Sequence, residues 1–153
     1  INFKGLMPPN LYGPNDNYNL KSSHFYPALL KKIYYAKIHK KKKLIVWGTG
    51  KARRELMYVD DFADALIFFM KKKIKEPFIN IGIGKDYPIN WYAKFLMKKL
   101  NVNLKIKHDK SKPDGMPKKL LNINLARSYG WVPKYDFHKA FESTFQNFLN
   151  KKN

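Results

Sequence analysis

Cysteine is absent from this sequence, which excludes disulfides and leaves the redox compartment undetermined. Long apolar runs are absent too. The longest, Ala65 to Met70, falls far short of the ~20 residues a membrane span requires, and its flanks VDDFAD and KKKIK make it part of a core helix. The first residues do not have the layout of a secretory signal, so the expectation is a cytoplasmic protein without membrane attachment. Four scattered histidines (His24, His39, His108, His138) and no thiol give no metal-ligand cluster. Acids are few: 11 against 31 basic residues, a formal net charge of +20. Arginine is scarcer still, with 3 against 28 lysines.

The lysine excess travels with abundant Asn and Ile and reads as a solvated surface composition. Runs such as Lys40–Lys43 and Lys71–Lys73 fall at expected helix ends, where cations complement the dipole. The charge raises encounter rates with anionic ligands. A polyanion or nucleic-acid binder is one reading of it, and would show a steep salt dependence; the expectation here is no nucleic-acid partner.

What is present alternates between strand and helix patterns, which is α/β. Residues 1–7 and 77–84 read as short buried strands of a parallel sheet. Residues 43–50, 53–59 and 103–108 read as further strands. Helical spacing covers 24–40, 60–73 and 88–101, and two closing helices follow a Pro/Gly loop. So few strands cannot complete a doubly wound sheet, so the chain is expected to be part of something larger. No Gly-rich phosphate loop of the G-x-x-G-x-x-G kind occurs; GIGKD has neither its spacing nor a helix placed to follow it.

Three clusters carry chemistry. PPNLYGPNDN opens with Pro8 and Pro9, which lack N–H donors, followed by Asn10 and Leu11, and reads as a rigid loop off a strand tip. Open α/β sheets bind ligands at such tips, although a plain Pro/Asn/Gly turn explains the stretch equally well. VWGTGKARRE sets Trp47 beside two glycines and then two of the rare arginines, a slot for a flat ring and an anion. A guanidinium grips phosphate with two prongs, as an ammonium cannot; a core Trp and a surface Arg pair is the alternative. DKSKPDGMPKK, with Asp114, read alone is a charged loop. His24, at a helix start past the Asn-rich loop, suits acid–base work or simple capping.

Together PPNLYGPNDN, SSHFYPALLKK, IVWGTGKARRELMYVDDFADA, INIGIG, SKPDGMPKKLLN and GWVPK resemble the carboxyl-terminal half of the GDP-L-fucose synthases. The resemblance runs through essentially all 153 residues. It implies an extended short-chain dehydrogenase/reductase that epimerises GDP-4-keto-6-deoxymannose at C3 and C5 and reduces it at C4 with NADPH. About half of such an enzyme would lie upstream, with its Tyr-x-x-x-Lys pair, partner Ser and epimerisation Cys, so the fragment alone would be inactive. Tyr34 and Tyr35 are followed four positions on by Ile38 and His39; Tyr135 and Lys139 have the spacing but sit near the far terminus. By this resemblance Pro8, Pro9, Asn10 and Leu11 would line NADP(H), with Pro9 replacing the usual Thr. His24 would lie beside the cofactor as the epimerisation acid. Lys32, Trp47, Arg54, Asp114 and Lys119 would bind the GDP-sugar. Residues 1–20 and 55–84 would be residual Rossmann elements, and 21–54 with 85–153 the substrate-binding domain. The whole enzyme would be a homodimer. The alternative is another NAD(P)-dependent nucleotide-sugar epimerase or dehydratase.

Overall fold

A computed structural model describes residues 4–151. Ile1 and Phe3 of the expected opening strand lie outside them. The strands are β1 (Gly5–Met7), β2 (Asn10–Tyr12), β3 (Lys43–Trp47), β4 (Arg53–Arg54), β5 (Leu56–Tyr58), β6 (Phe78–Asn80), β7 (Tyr87–Pro88), β8 (Lys105–Asp109) and β9 (Lys118–Lys119). The helices are α1 (Phe25–Ile38), α2 (Val59–Met70), α3 (Ile89–Lys99), α4 (Asn124–Ser128) and α5 (Phe137–Asn150). The class is α/β with mostly parallel pairing. Two compact units form, the chain changing unit after Asn15, Arg54, Asp86 and Lys119. Residues from Leu120 onward, expected with the substrate-binding part, cluster instead with the first unit, and 16–20 with the second.

The first unit holds two parallel pairs, β1 with β6 and β2 with β5. Pro8 and Pro9 have no N–H to donate, so the ladder of β1 stops there. The chain then resumes as β2 on a different partner. The stretch expected as a loop therefore holds a three-residue strand, Asn10–Tyr12. Met57, Ala65, Phe69, Ile79, Ile81, Ala126 and Trp131 form the core. Burial is not two-sided, however: Met7 is 53% and Phe78 60% exposed, and α2 shows Leu66, Ile67 and Met70 to solvent while burying Ala65 and Phe69. At the helix ends, Asp136 caps α5 by accepting from the His138 and Lys139 amides at 2.9 and 2.8 Å.

In the second unit β3 pairs with β8 in parallel, and β4 lies between β7 and β9. β3 alternates, burying Leu44 and Val46 and exposing Lys43, Ile45 and Trp47. Helix α1 buries Tyr26, Leu29, Leu30 and Ile33 and packs on α3 and β3. The expected single strand 53–59 is two: the buried Glu55 separates β4 from β5, and the two pieces belong to different units. Both long helices of this unit end on a left-handed residue, Lys40 (φ 50°) and Asn101 (φ 48°). The next amides, Lys41 and Val102, reach back to the carbonyls of Ala36 and Met97 at 2.8 and 3.0 Å. That is the Schellman closure, here without glycine.

Asp61 ties the first unit together. It is buried, and its two carboxylate oxygens accept from the amides of Lys134 and Tyr135 at 2.7 and 3.2 Å. Asp61→Ala would orphan both donors, at about 1–3 kcal/mol for each N–H left unpaired. The expected outcome is a lower urea midpoint with an unchanged slope; a midpoint equal to wild type would refute that role.

Candidate functional site

The polar chemistry of the second unit gathers around the turn that follows β3. Gly48 and Gly50 have φ of 66° and 68°, a region closed to most side chains. A Cβ at Gly48 would overlap the Asp114 carboxylate, and one at Gly50 the Asn90 amide. Both glycines thus let other chain segments come in close. Asp114 Oδ1 accepts from the Thr49 amide at 2.6 Å and Oδ2 from the Thr49 hydroxyl at 2.7 Å. These two bonds, the hydroxyl one first, hold the Asp114 carboxyl below its ordinary value. Asn90 donates to the Thr49 carbonyl at 3.3 Å and faces His108 Nε2 at 3.0 Å. The turn is stapled from two sides.

Trp47, just before this turn, is 54% exposed. Two ammonium groups approach its ring, Lys32 at 5.1 Å and Lys112 at 5.7 Å from the centroid, within cation–π range. Burial lowers the Lys32 pKa, partly opposed by Asp109. A cavity of about 160 Å³ opens beside them, walled by Phe25, Leu29, Val46 and Ile89 with Lys32 and Trp47. Ser23 also lines it, so the neighbours of His24 on both sides reach this cavity. His24 itself is exposed at the N-cap of α1, and its imidazole makes no cap hydrogen bond.

Arg54 lies on β4, directly paired with Lys119 of β9. Its Nη1 donates to the carbonyls of Met116 at 2.6 Å and Arg53 at 2.8 Å. The Tyr92 hydroxyl donates to the Arg54 carbonyl at 2.7 Å. Like charges on paired strand residues repel, so Arg54 beside Lys119 is a poor arrangement unless an anion is meant to sit there. The loop from Asp114 to Met116 links this pair to the Trp47 turn: one end is bonded to Thr49, the other to Arg54.

Of the residues named from sequence, Lys32, Trp47, Arg54, Asp114, Lys119 and His24 all belong to the second unit. Lys32 touches Trp47, and Asp114 and Arg54 share a loop. Asp114 spends both oxygens on Thr49, so it acts on the loop. Pro8, Pro9, Asn10 and Leu11 belong to the first unit, where Asn10 and Leu11 pair with Leu56 and Met57 in β2 and β5. Thr49, Asn90 and Lys112 were not singled out from sequence. Only the paired glycines 48 and 50 hinted at the close approaches they make.

The comparisons with known proteins bear on the same segments. Residues 1–82 match the model of the NAD dependent epimerase/dehydratase family. GDP-L-colitose synthase of Yersinia pseudotuberculosis is 41% identical over 152 residues, 99% of this chain and 49% of that protein. GDP-L-fucose synthase of Escherichia coli is 35% identical over 96% of this chain and 49% of its own length. The structure of a GDP-L-fucose synthetase from Naegleria fowleri bound to NADP superposes with a TM-score of 0.88 at 29% identity, over 98% of this chain and 47% of that one. The chain spans about half the length of the curated relatives it matches. No helix of the described residues is long and apolar enough to cross a membrane. With a family match over more than half its residues, this chain belongs to the NAD dependent epimerase/dehydratase family.

Proposed function

We propose that this chain supplies the substrate-binding half of a GDP-L-fucose synthase. In that reading GDP-4-keto-6-deoxymannose is the substrate, NADP(H) the cofactor and a homodimer the assembled form. One observation carries the reading: Arg54 of β4 and Lys119 of β9 stand paired in register, and the Asp114–Met116 loop bonded to Arg54 also fixes the turn after an exposed tryptophan. A diphosphate relieves the repulsion, and the guanidinium's remaining N–H groups offer it planar two-point contact. Trp47 walls the site, Lys32 and Lys112 add positive charge beside it, and Asp114 acts by holding Thr49. The matched relatives point the same way, since they are synthases of GDP-linked sugars.

Fit to NADP rests on the first unit. Two prolines make the backbone at 8–9 rigid and donor-free, while Asn10 is half-buried at the start of β2. Backbone carbonyls and this amide suit a dinucleotide's polar edge. When bound, the cofactor would supply hydride for the C4 ketone. This chain's part is to hold the nucleotide sugar and present an acid. His24 is that acid in this reading: its imidazolium gives a proton to the sugar carbon from which one was removed on the opposite face, and leaves as neutral imidazole. Residues 21–54 and 87–119 form the substrate-binding body, and the β1–β2–β5–β6 region is the Rossmann remnant.

The second reading is a related enzyme with a different GDP-sugar, favoured by the 41% identity to a colitose synthase. Base choice and sugar choice are separable. Calorimetric titration should show GDP binding the 153-residue chain, with UDP and dTDP at least about tenfold weaker, a difference of 1.4 kcal/mol. Equal affinity for all three would reject a GDP site. Arg54→Lys keeps the charge but loses the fork, and should weaken GDP about tenfold or more. Joined to the amino-terminal half of a relative, the chain should support NADPH-dependent turnover of the keto sugar. His24→Gln should then lower that rate by about 10²–10⁴-fold; a loss of less than about threefold would remove His24 from acid catalysis.

A further inference from the structure

We infer that the second unit holds a further ligand site beside the Trp47 cavity, for an organic phosphate that carries a flat ring, and that the two sites compete for Lys32. Only that competition rests on the proposed GDP-sugar reading. The charge of the chain is not spread evenly. The second unit has 20 of the 31 basic residues but 3 of the 11 acids (Asp16, Asp109 and Asp114), so it carries 17 of the 20 net charges. A lysine-rich composition painted over all solvated positions would charge both units alike.

The excess has a focus. A second cavity, of about 490 Å³, opens between the later turns of α1 and the start of β3, with Lys31, Lys32, Lys41 and Lys43 in its lining and no acid. Lys31, Lys41 and Lys43 form no ion pair among the described residues. Lys43 is also the Cα partner of Lys105, like charges set side by side. Asp109, which acts on Lys32, is the partner of Trp47 at the opposite end of β3. The walls are apolar: Tyr35, Ala36, Leu44 and Ile45. Lys31 Nζ stands 5.7 Å from the centroid of the Tyr35 ring. Small-molecule sites of this size combine such walls with a few charged groups. Ammonium groups hold phosphate as point charges, while the tyrosine ring and Ile45 offer surface to a flat body.

Lys32 and Leu20 line both this cavity and the one beside Trp47. Lys32 Nζ lies 5.1 Å from the Trp47 ring centroid and 3.5 Å from the Ile45 carbonyl, so it stands at their junction. Two anionic ligands sharing one ammonium repel each other, and each binds less well when the other is present.

The probe is 1-naphthyl phosphate, titrated into the 153-residue chain and followed by amide chemical shifts. The amides of Tyr35, Ala36, Leu44 and Ile45 should move together. Inorganic phosphate, with no ring to bury, should bind at least about tenfold more weakly. Lys31→Gln combined with Lys43→Gln should weaken the probe about tenfold or more, since contacts to a charged group are lost. GDP affinity should stay within about threefold, because exposed charges at a distance are screened. Lys94→Gln with Lys98→Gln removes the same charge from exposed positions of α3 and should change probe affinity by less than about threefold. Under saturating GDP the probe should bind at least about threefold more weakly. The site is overturned if the shifts scatter over the lysine-rich surface, if the α3 pair weakens the probe as much as the cavity pair, or if inorganic phosphate binds as tightly as the probe. Probe affinity unmoved by GDP overturns the competition. A chain that binds the probe at these amides but does not bind GDP keeps the site and loses the proposed function.

Discussion

Two cations held side by side on adjacent strands are the constraint around which the second unit is organised. Arg54 and Lys119 pair in register, and nothing about two-residue strands makes such a pairing favourable by itself. What holds it is distributed. The Tyr92 hydroxyl anchors the Arg54 carbonyl, Met116 accepts from the guanidinium, and Arg53 donates its amide to Pro117. On the far side of β4, Tyr87 and Pro88 complete the three-stranded sheet. Each contact is worth only about 0.5–1.5 kcal/mol net, so the site depends on their number. This pairing is the feature on which the proposed diphosphate site rests.

The same logic explains why the turn after Trp47 is rigid. Its two glycines adopt backbone angles that admit a carboxylate and an amide at close range. Those groups arrive from far along the chain: Asp114 lies 66 residues beyond Gly48, and Asn90 lies 40 beyond Gly50. Once seated, they hold Thr49 and so the backbone of the turn that follows the indole. The lysines at its ring are held more loosely, through long side chains and weak attraction. The turn is thus stiff where it meets the sheet and compliant where it meets solvent.

Much of the fold was legible because its helices are long and periodic. α1, α2, α3 and α5 repeat their apolar positions for three or more turns, and a 3.6-residue period needs that length to declare itself. The two-residue strands β4, β7 and β9 have no length in which to alternate, and only the chain's tertiary pairing makes them strands. Helix ends were blurred for another reason: Lys40 and Asn101 take the left-handed role that glycine announces elsewhere. In the site, Arg54 and Trp47 stood out by rarity and by their glycine neighbours. Thr49 and Lys112 did not, since a threonine in a turn and a lysine among 28 carry no signal until a fold brings partners to them. Glu55 lay hidden inside what read as one strand, 53–59, and nothing in the alternation marked it as the buried break between β4 and β5.

The three tryptophans occupy unlike surroundings: Trp131 is 2% exposed, Trp91 stacks on Tyr87 and Phe95, and Trp47 stands half in water beside two ammonium groups. Their emission must therefore separate by wavelength, with the solvated indole the reddest. The chain carries its own optical label at Trp47, so occupancy of the proposed nucleotide site can be followed without attaching a dye.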